Sequence, residues 1–228
     1  MTFVFSPAEI PSVRVQGDDA RFAVHRIYCV GRNYAEHARE MGSDPQREPP
    51  FFFSKPADAV VANKASVPYP PLTKNFHHEV ELVVALGKGG ANIAAANALE
   101  HIFGYAVGND LTRRDLQKQA KDAGKPWDIS KGFDRSAPVA AIRPVKNGGH
   151  VTNARIWLKV NGELKQQGNV SDLIWSVPEI IAALSKFYEL QCGDLIFTGT
   201  PAGVSALKVG DKMEAGIEGL ESLLTTIV

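Results

Sequence analysis

The residues best placed to do chemistry begin with the stretch His77-His78-Glu79-Val80-Glu81-Leu82-Val83-Val84-Ala85-Leu86. On a β-strand alternate residues point to opposite faces, so Glu79 and Glu81 share one face and Val80 and Leu82 the other. Two neighbouring carboxylates repel unless a proton or a cation lies between them. One reading is a solvated face on an antiparallel strand. Against it, Val83 and Ala85 continue the Glu face as apolar residues, and buried carboxylates need partners or a metal. The competing reading is a hard divalent cation held by oxygen. Such a site does not require imidazole, so His77 and His78 are read as structural.

A second group is Asn33-Tyr34-Ala35-Glu36-His37-Ala38-Arg39-Glu40-Met41-Gly42, a short helix with Asn33 as cap, Glu36 in a capping-box position and Gly42 at C′. His37 and Glu40 are i and i+3 on it, so their side chains meet. A carboxylate beside an imidazole orients it as a general base requires; an exposed surface pair has the same spacing. Further on, Asp110 is a carboxylate at the end of a Gly-thinned strand, residues 104–110, of a kind that lets another group approach closely. Thr112 and Asp115 then make a capping box for a helix to about residue 123, ended by Gly124, with Arg114 and Gln117 on one face. Arg113, Lys118 and Lys121 read as solvated charges, and residues 130–138 as a polar loop carrying Lys131.

The elements that must position these groups are mostly short strands. Residues 26–30 and 51–56 read as buried strands, and Asn161-Gly162 between residues 154–160 and 163–167 is a strong hairpin signal. Residues 195–198 form a buried strand running into Gly199-Thr200-Pro201, and two more strands lie near 212–217 and 221–228. Helices are expected at 93–103, capped by Asn92 with an apolar stripe of Ile93, Ala96, Leu99 and Phe103, and from the Ser176–Glu179 capping box to about 188. Strands and helices do not alternate regularly, which gives an α+β, strand-rich class. Residues 1–24 read as an N-terminal arm or edge strand before a domain over 25–228.

At 228 residues, 44% hydrophobic and 22% charged, with zero formal net charge, the chain looks like an ordinary soluble globular protein. No basic tract supports nucleic-acid or membrane-surface binding. Cys29 and Cys192 offer neither a disulfide framework nor zinc-type spacing. The first residues lack a basic segment followed by an apolar core, and no apolar run reaches the ~20 residues of a membrane span. The expectation is a cytoplasmic protein.

Several motifs together resemble the fumarylacetoacetate hydrolase family from about residue 25 to the C-terminus. They are Gly31-Arg32-Asn33-Tyr34-Ala35-Glu36-His37-Ala38-Arg39-Glu40, His78-Glu79-Val80-Glu81-Leu82 and Asp110-Leu111-Thr112-Arg113-Arg114-Asp115-Leu116-Gln117, followed by Ser130-Lys131-Gly132-Phe133, the Val160-Asn161-Gly162-Glu163 hairpin and Gly193-Asp194-Leu195-Ile196-Phe197-Thr198-Gly199-Thr200-Pro201. The resemblance implies a mixed β-roll, usually a homodimer, with one Mg²⁺ or Mn²⁺ per subunit on Glu79, Glu81 and Asp110. It implies a His37–Glu40 dyad on a lid helix, an active-site Lys131 with Gln117 beside it, and carboxylate or carbonyl binding by Arg32, Arg114 and Thr200. The implied reaction is hydrolysis of the carbon–carbon bond in a small-molecule 1,3-diketo acid. Fumarylpyruvate, from gentisate-type aromatic degradation, is the first expectation; acylpyruvate hydrolysis or oxaloacetate decarboxylation is the alternative. A non-catalytic metal-binding protein of the same fold is the remaining possibility.

Overall fold

The computed structural model describes residues 2–41 and 48–228. The expected Gly42 cap and most of the loop before Pro49 fall outside the described residues.

Two sheets dominate. The larger is eight-stranded and mixed, running Phe51–Lys55, Ile27–Gly31, Leu195–Phe197, Val80–Leu86, Ile102–Asn109, Ala137–Val139 and Val60–Ala62, with Arg143–Pro144 also paired to Ile102–Asn109. Its centre, Val80–Leu86, pairs antiparallel with both neighbours, while Leu195–Phe197 runs parallel to Ile27–Gly31. The smaller sheet is five-stranded, in the order Glu163–Asn169, Arg155–Val160, Lys212–Ile217, Leu223–Ile227, Ser66–Val67. A hairpin of Ser12–Arg14 and Arg21–Ala23 forms from the N-terminal segment. The result is the strand-rich mixed α+β roll expected from the sequence.

The central strand explains the layering. All seven of its residues are buried, so both faces need cover. Val80, Leu82, Val84 and Leu86 join a core with Ile156, Leu158, Met213 and Ala215 of the smaller sheet. Val83 and Ala85 join a second core with Val13, Phe22, Ile27, Cys29 and Phe197. Each such side chain removed from water contributes roughly 1.5–3 kcal/mol before entropy is charged against it. Gly108 lets the adjacent strand sit close: a Cβ there would lie 2.4 Å from Val83 Cγ2.

Local expectations fare unevenly. The Asn161-Gly162 turn forms with both residues at positive φ (51° and 85°), as a two-residue hairpin requires. Helix Val177–Leu184 starts at Ser176, whose N–H donates to Glu179 Oε2 at 3.0 Å, but it stops one turn before the expected end. The segment after Asn92 is a 3₁₀ helix, Ala95–His101, not an α-helix to 103; Phe103 belongs to the next strand. A period of three places Ala98 and His101 on the buried side and leaves Ala96 exposed. The strand Phe51–Lys55 is not buried as expected: Phe51 is 45% exposed and only Lys55 is fully enclosed. This strand is an edge of the sheet.

Candidate metal centre and active-site cavity

Glu79, Glu81 and Asp110 are brought together at the junction of the two central strands. Glu79 falls in the two-residue gap between Phe76–His77 and Val80–Leu86. There its N–H donates to Asn109 Oδ1 at 2.8 Å, and its carbonyl accepts Asp110 N–H at 2.8 Å. Glu81 lies inside the strand, and its Oε2 accepts the Gly199 N–H at 2.7 Å. Gly199 holds φ 105° and its absent Cβ would sit 2.7 Å from Asn33 Cβ, so only glycine presents that amide here. One oxygen from each carboxylate lies within 4.8 Å of the others, and all three residues are buried. Hard oxygen donors at this spacing fit Mg²⁺ or Mn²⁺.

Three cations answer two of the three carboxylates, Glu79 and Asp110. Lys131 Nζ is 2.7 Å from both Glu79 Oε2 and Asp110 Oδ2. Arg114 donates to Glu79 Oε1 and, at 2.6 Å, to Gln117 Oε1. Lys55 Nζ is 2.8 Å from Asp110 Oδ1. Burial alone would raise the Glu79 carboxyl, but Lys131 and Arg114 outweigh it and hold the group below the usual carboxylate range. Glu81 lacks such a cation. Burial first, then the charges of Asp110 and Glu79, push it well above that range. The Lys131 ammonium is penalised by burial yet raised overall by Asp110 and Glu79.

His37 and Glu40 lie on helix Ala35–Glu40, with Nδ1 3.1 Å from Glu40 Oε2. Burial opposes ionisation of Glu40, but the bonds from His37 and the Gly203 N–H lower its carboxyl. An ionised carboxylate only accepts, so Nδ1 carries the proton and Nε2 is the basic nitrogen. His37 is buried, which excludes the exposed surface pair. The helix is not capped by Asn33 as expected. Tyr34 is the N-cap, and the Asn33 amide instead donates to the carbonyls of Trp175 and Thr198 and accepts from Trp175 N–H.

A cavity of about 510 Å³ is lined by every site residue singled out in the sequence: Arg32, His37, Glu40, Glu79, Glu81, Asp110, Arg114, Gln117, Lys131 and Thr200. Local settings differ from expectation in several cases. Lys131 sits on a four-residue helix, Asp128–Lys131, not in a loop. The Thr112–Asp115 box does not form: Thr112 donates to the Asp110 carbonyl, and Asp115 accepts from Thr73 and Lys74. The helix is Arg114–Asp122 with Arg113 as N-cap, and Gly124 follows its end at φ 62°. Arg113 is not simply solvated, because its guanidinium lies 4.4 Å over the Phe133 ring. His77 and His78 are hydrogen-bonded to Asn75, Gln166 and Ser205, and burial with Arg114 nearby lowers His77 to about 4.

Two buried polar residues were missed. Gln166 accepts from Val80 N–H, bonds His78 Nδ1, and donates to Thr200 Oγ1 and the Pro201 carbonyl, bracing both sides of Glu79. Its only sequence signal is a glutamine on the inward parity of a hairpin strand. Lys55 closes the apolar run Phe51-Phe52-Phe53 before Pro56, a place where a lysine must find anionic partners.

Comparison with known proteins agrees with this geometry. The family model described as fumarylacetoacetate (FAA) hydrolase C-terminal matches residues 26–228. A fumarylpyruvate hydrolase of Ralstonia sp is 47% identical over 184 residues, 81% of this chain and 95% of that protein. The mitochondrial oxaloacetate tautomerase FAHD1 of Mus musculus is 47% identical over 197 residues, 86% of this chain and 89% of that one. Among solved structures, fumarylpyruvate hydrolase from Pseudomonas aeruginosa in complex with Mn²⁺ and pyruvate has a TM-score of 0.98 at 51% identity, covering 100% of this chain and 99% of that chain.

Proposed function

We propose that this chain, which belongs to the fumarylacetoacetate hydrolase family, is a metal-dependent hydrolase of the carbon–carbon bond in a 1,3-diketo acid, with fumarylpyruvate as substrate. The observation that carries the reading is the convergence of three buried carboxylates and an oriented His37–Glu40 dyad on one cavity. The similarity to a fumarylpyruvate hydrolase seen with Mn²⁺ and pyruvate supports it.

Glu79, Glu81 and Asp110 would hold one Mg²⁺ or Mn²⁺, which supplies Lewis acidity to the oxygens of the 2-oxo acid. His37, with Nδ1 fixed by Glu40, takes a proton at Nε2 from the water that attacks the carbonyl distal to the pyruvyl group. The Arg114 bond turns Gln117 so that its amide NH₂ is left to donate, and with Lys131 it would stabilise the resulting oxyanion. Cleavage releases fumarate and the pyruvate enolate, and the proton held by His37 returns to the enolate carbon. Arg114 is already committed to Glu79 and Gln117. Arg32 makes no ion pair among the described residues and lines the cavity, which favours it for a substrate carboxylate. Thr200, which lines the cavity, would contact a substrate carbonyl. The place of the reaction would be gentisate-type aromatic degradation in the cytoplasm; among the described residues no helix is long and apolar enough to cross a membrane. A catalytic unit over residues 25–228 working as a homodimer completes the proposal. Exposed apolar residues Phe3, Phe5 and Ile10 of the arm favour an oligomer.

A second reading, action on oxaloacetate without cleavage by water, is favoured by the likeness to the tautomerase. The same dyad could move a proton between carbon and oxygen. Relative kcat/KM on fumarylpyruvate, acetylpyruvate and oxaloacetate with Mn²⁺ separates them. Fumarylpyruvate should lead by a wide margin; a lead for oxaloacetate would replace the first reading with the second.

A further inference from the structure

Lys55 is the last residue of the edge strand Phe51–Lys55, and its side chain has no exposure at all. A buried ammonium costs several kcal/mol, and an apolar side chain of similar volume often serves packing as well or better. Its surroundings are therefore informative. Nζ faces three oxygens: Asp110 Oδ1 at 2.8 Å, the Leu111 carbonyl at 3.2 Å and the Lys131 carbonyl. It also lies 5.5 Å over the Phe133 ring. The ammonium donates to the two carbonyls, while its contact with Asp110 Oδ1 is an ion pair without a hydrogen bond. Lys55 is absent from the cavity wall, while Asp110 and Lys131 are both on it. It thus grips, from behind, one metal-ligand candidate and the backbone of the active-site lysine.

The two oxygens of Asp110 are treated differently. Oδ1 is ion-paired with Lys55 at 2.8 Å yet accepts no hydrogen bond among the described residues, whereas Oδ2 accepts one from Lys131 at 2.7 Å. Released from Lys55, the carboxylate could present both oxygens to a cation, taking a coordination position that a chelating substrate needs. We propose that Lys55 is a positioning residue that holds Asp110 as a one-oxygen donor to the divalent cation. This rests on the metal-site reading above. Lys55 touches no substrate; it acts through Asp110 and through the carbonyl of Lys131.

The test uses full-length protein loaded with Mn²⁺, comparing wild type with Lys55→Met. Water-proton relaxation reports water on the bound ion, and calorimetry with oxalate reports the open chelating positions. Lys55→Met should bind Mn²⁺ with a lower relaxation enhancement and bind oxalate about 10-fold more weakly, the lower end of what loss of an outer partner costs. Wild-type relaxation and wild-type oxalate affinity in a folded Lys55→Met protein overturn the proposal, even if its melting temperature falls. Lys55→Gln, which keeps N–H donors and removes the charge, carries the same comparison should the Met variant not fold. Failure of both to fold assigns Lys55 to folding alone and also overturns it. Absence of Mn²⁺ binding by wild type would instead defeat the metal-site reading itself.

Discussion

Replacing Glu79 by Ala removes the carboxylate that Lys131 and Arg114 both hold, so two buried cations lose a partner at once. The variant should lose Mn²⁺ binding by calorimetry and metal-dependent release of pyruvate. Full metal-dependent turnover would remove Glu79 from the ligand set. His37→Ala should behave differently: it keeps Mn²⁺ but loses roughly 10²–10⁴-fold in kcat, the usual worth of a positioned base. Unchanged turnover would take the base role from His37. At this scale much of the site was legible, because side-chain spacing survives folding. The i, i+3 pairs His37–Glu40 and Arg114–Gln117 meet as their spacing dictates. What spacing could not show is that charges from distant segments are matched one against another. Lys55 and Gln166 reach the site only through tertiary contacts: Lys55 lies 55 residues before Asp110, and Gln166 lies 86 residues after Val80, from whose N–H it accepts.

Among the elements, Val80–Leu86 was readable because both of its faces are apolar beyond Glu81, and strands buried on both sides read as continuous hydrophobic runs. Cap patterns were less reliable guides. Asn33 and Thr112 have the right types for caps, yet each finds a partner elsewhere: Asn33 in Trp175 and Thr198, Thr112 in Asp110. For Asn33 tertiary hydrogen bonds outcompete the cap, and for Thr112 a local bond two residues back does so. Close strand packing gives a direct check. Gly108→Ala places a methyl against Val83 and the Phe197 ring, and should destabilise the fold by about 1–3 kcal/mol in urea unfolding. A variant as stable as wild type would show that the two central strands are looser than their register indicates.

For the whole molecule, the larger sheet supplies the carboxylates, the smaller sheet braces them through Gln166, and the Ala35–Glu40 helix brings the base across the cavity. The fold class was legible from the count and brevity of the strands. The strand order was not, since Leu195–Phe197 enters between strands that precede it by more than a hundred residues. Light scattering on the purified protein should give twice the mass of one chain; a monomer at micromolar concentration would contradict the homodimer. The central claim is hydrolysis by water at a metal-bearing carboxylate site. Turnover of fumarylpyruvate in H₂¹⁸O with Mn²⁺, read by mass spectrometry of the fumarate, tests it most directly. The account predicts one ¹⁸O in the new carboxylate of each fumarate and no product after chelation. Fumarate formed without label, or at an undiminished rate with chelator present, would contradict it.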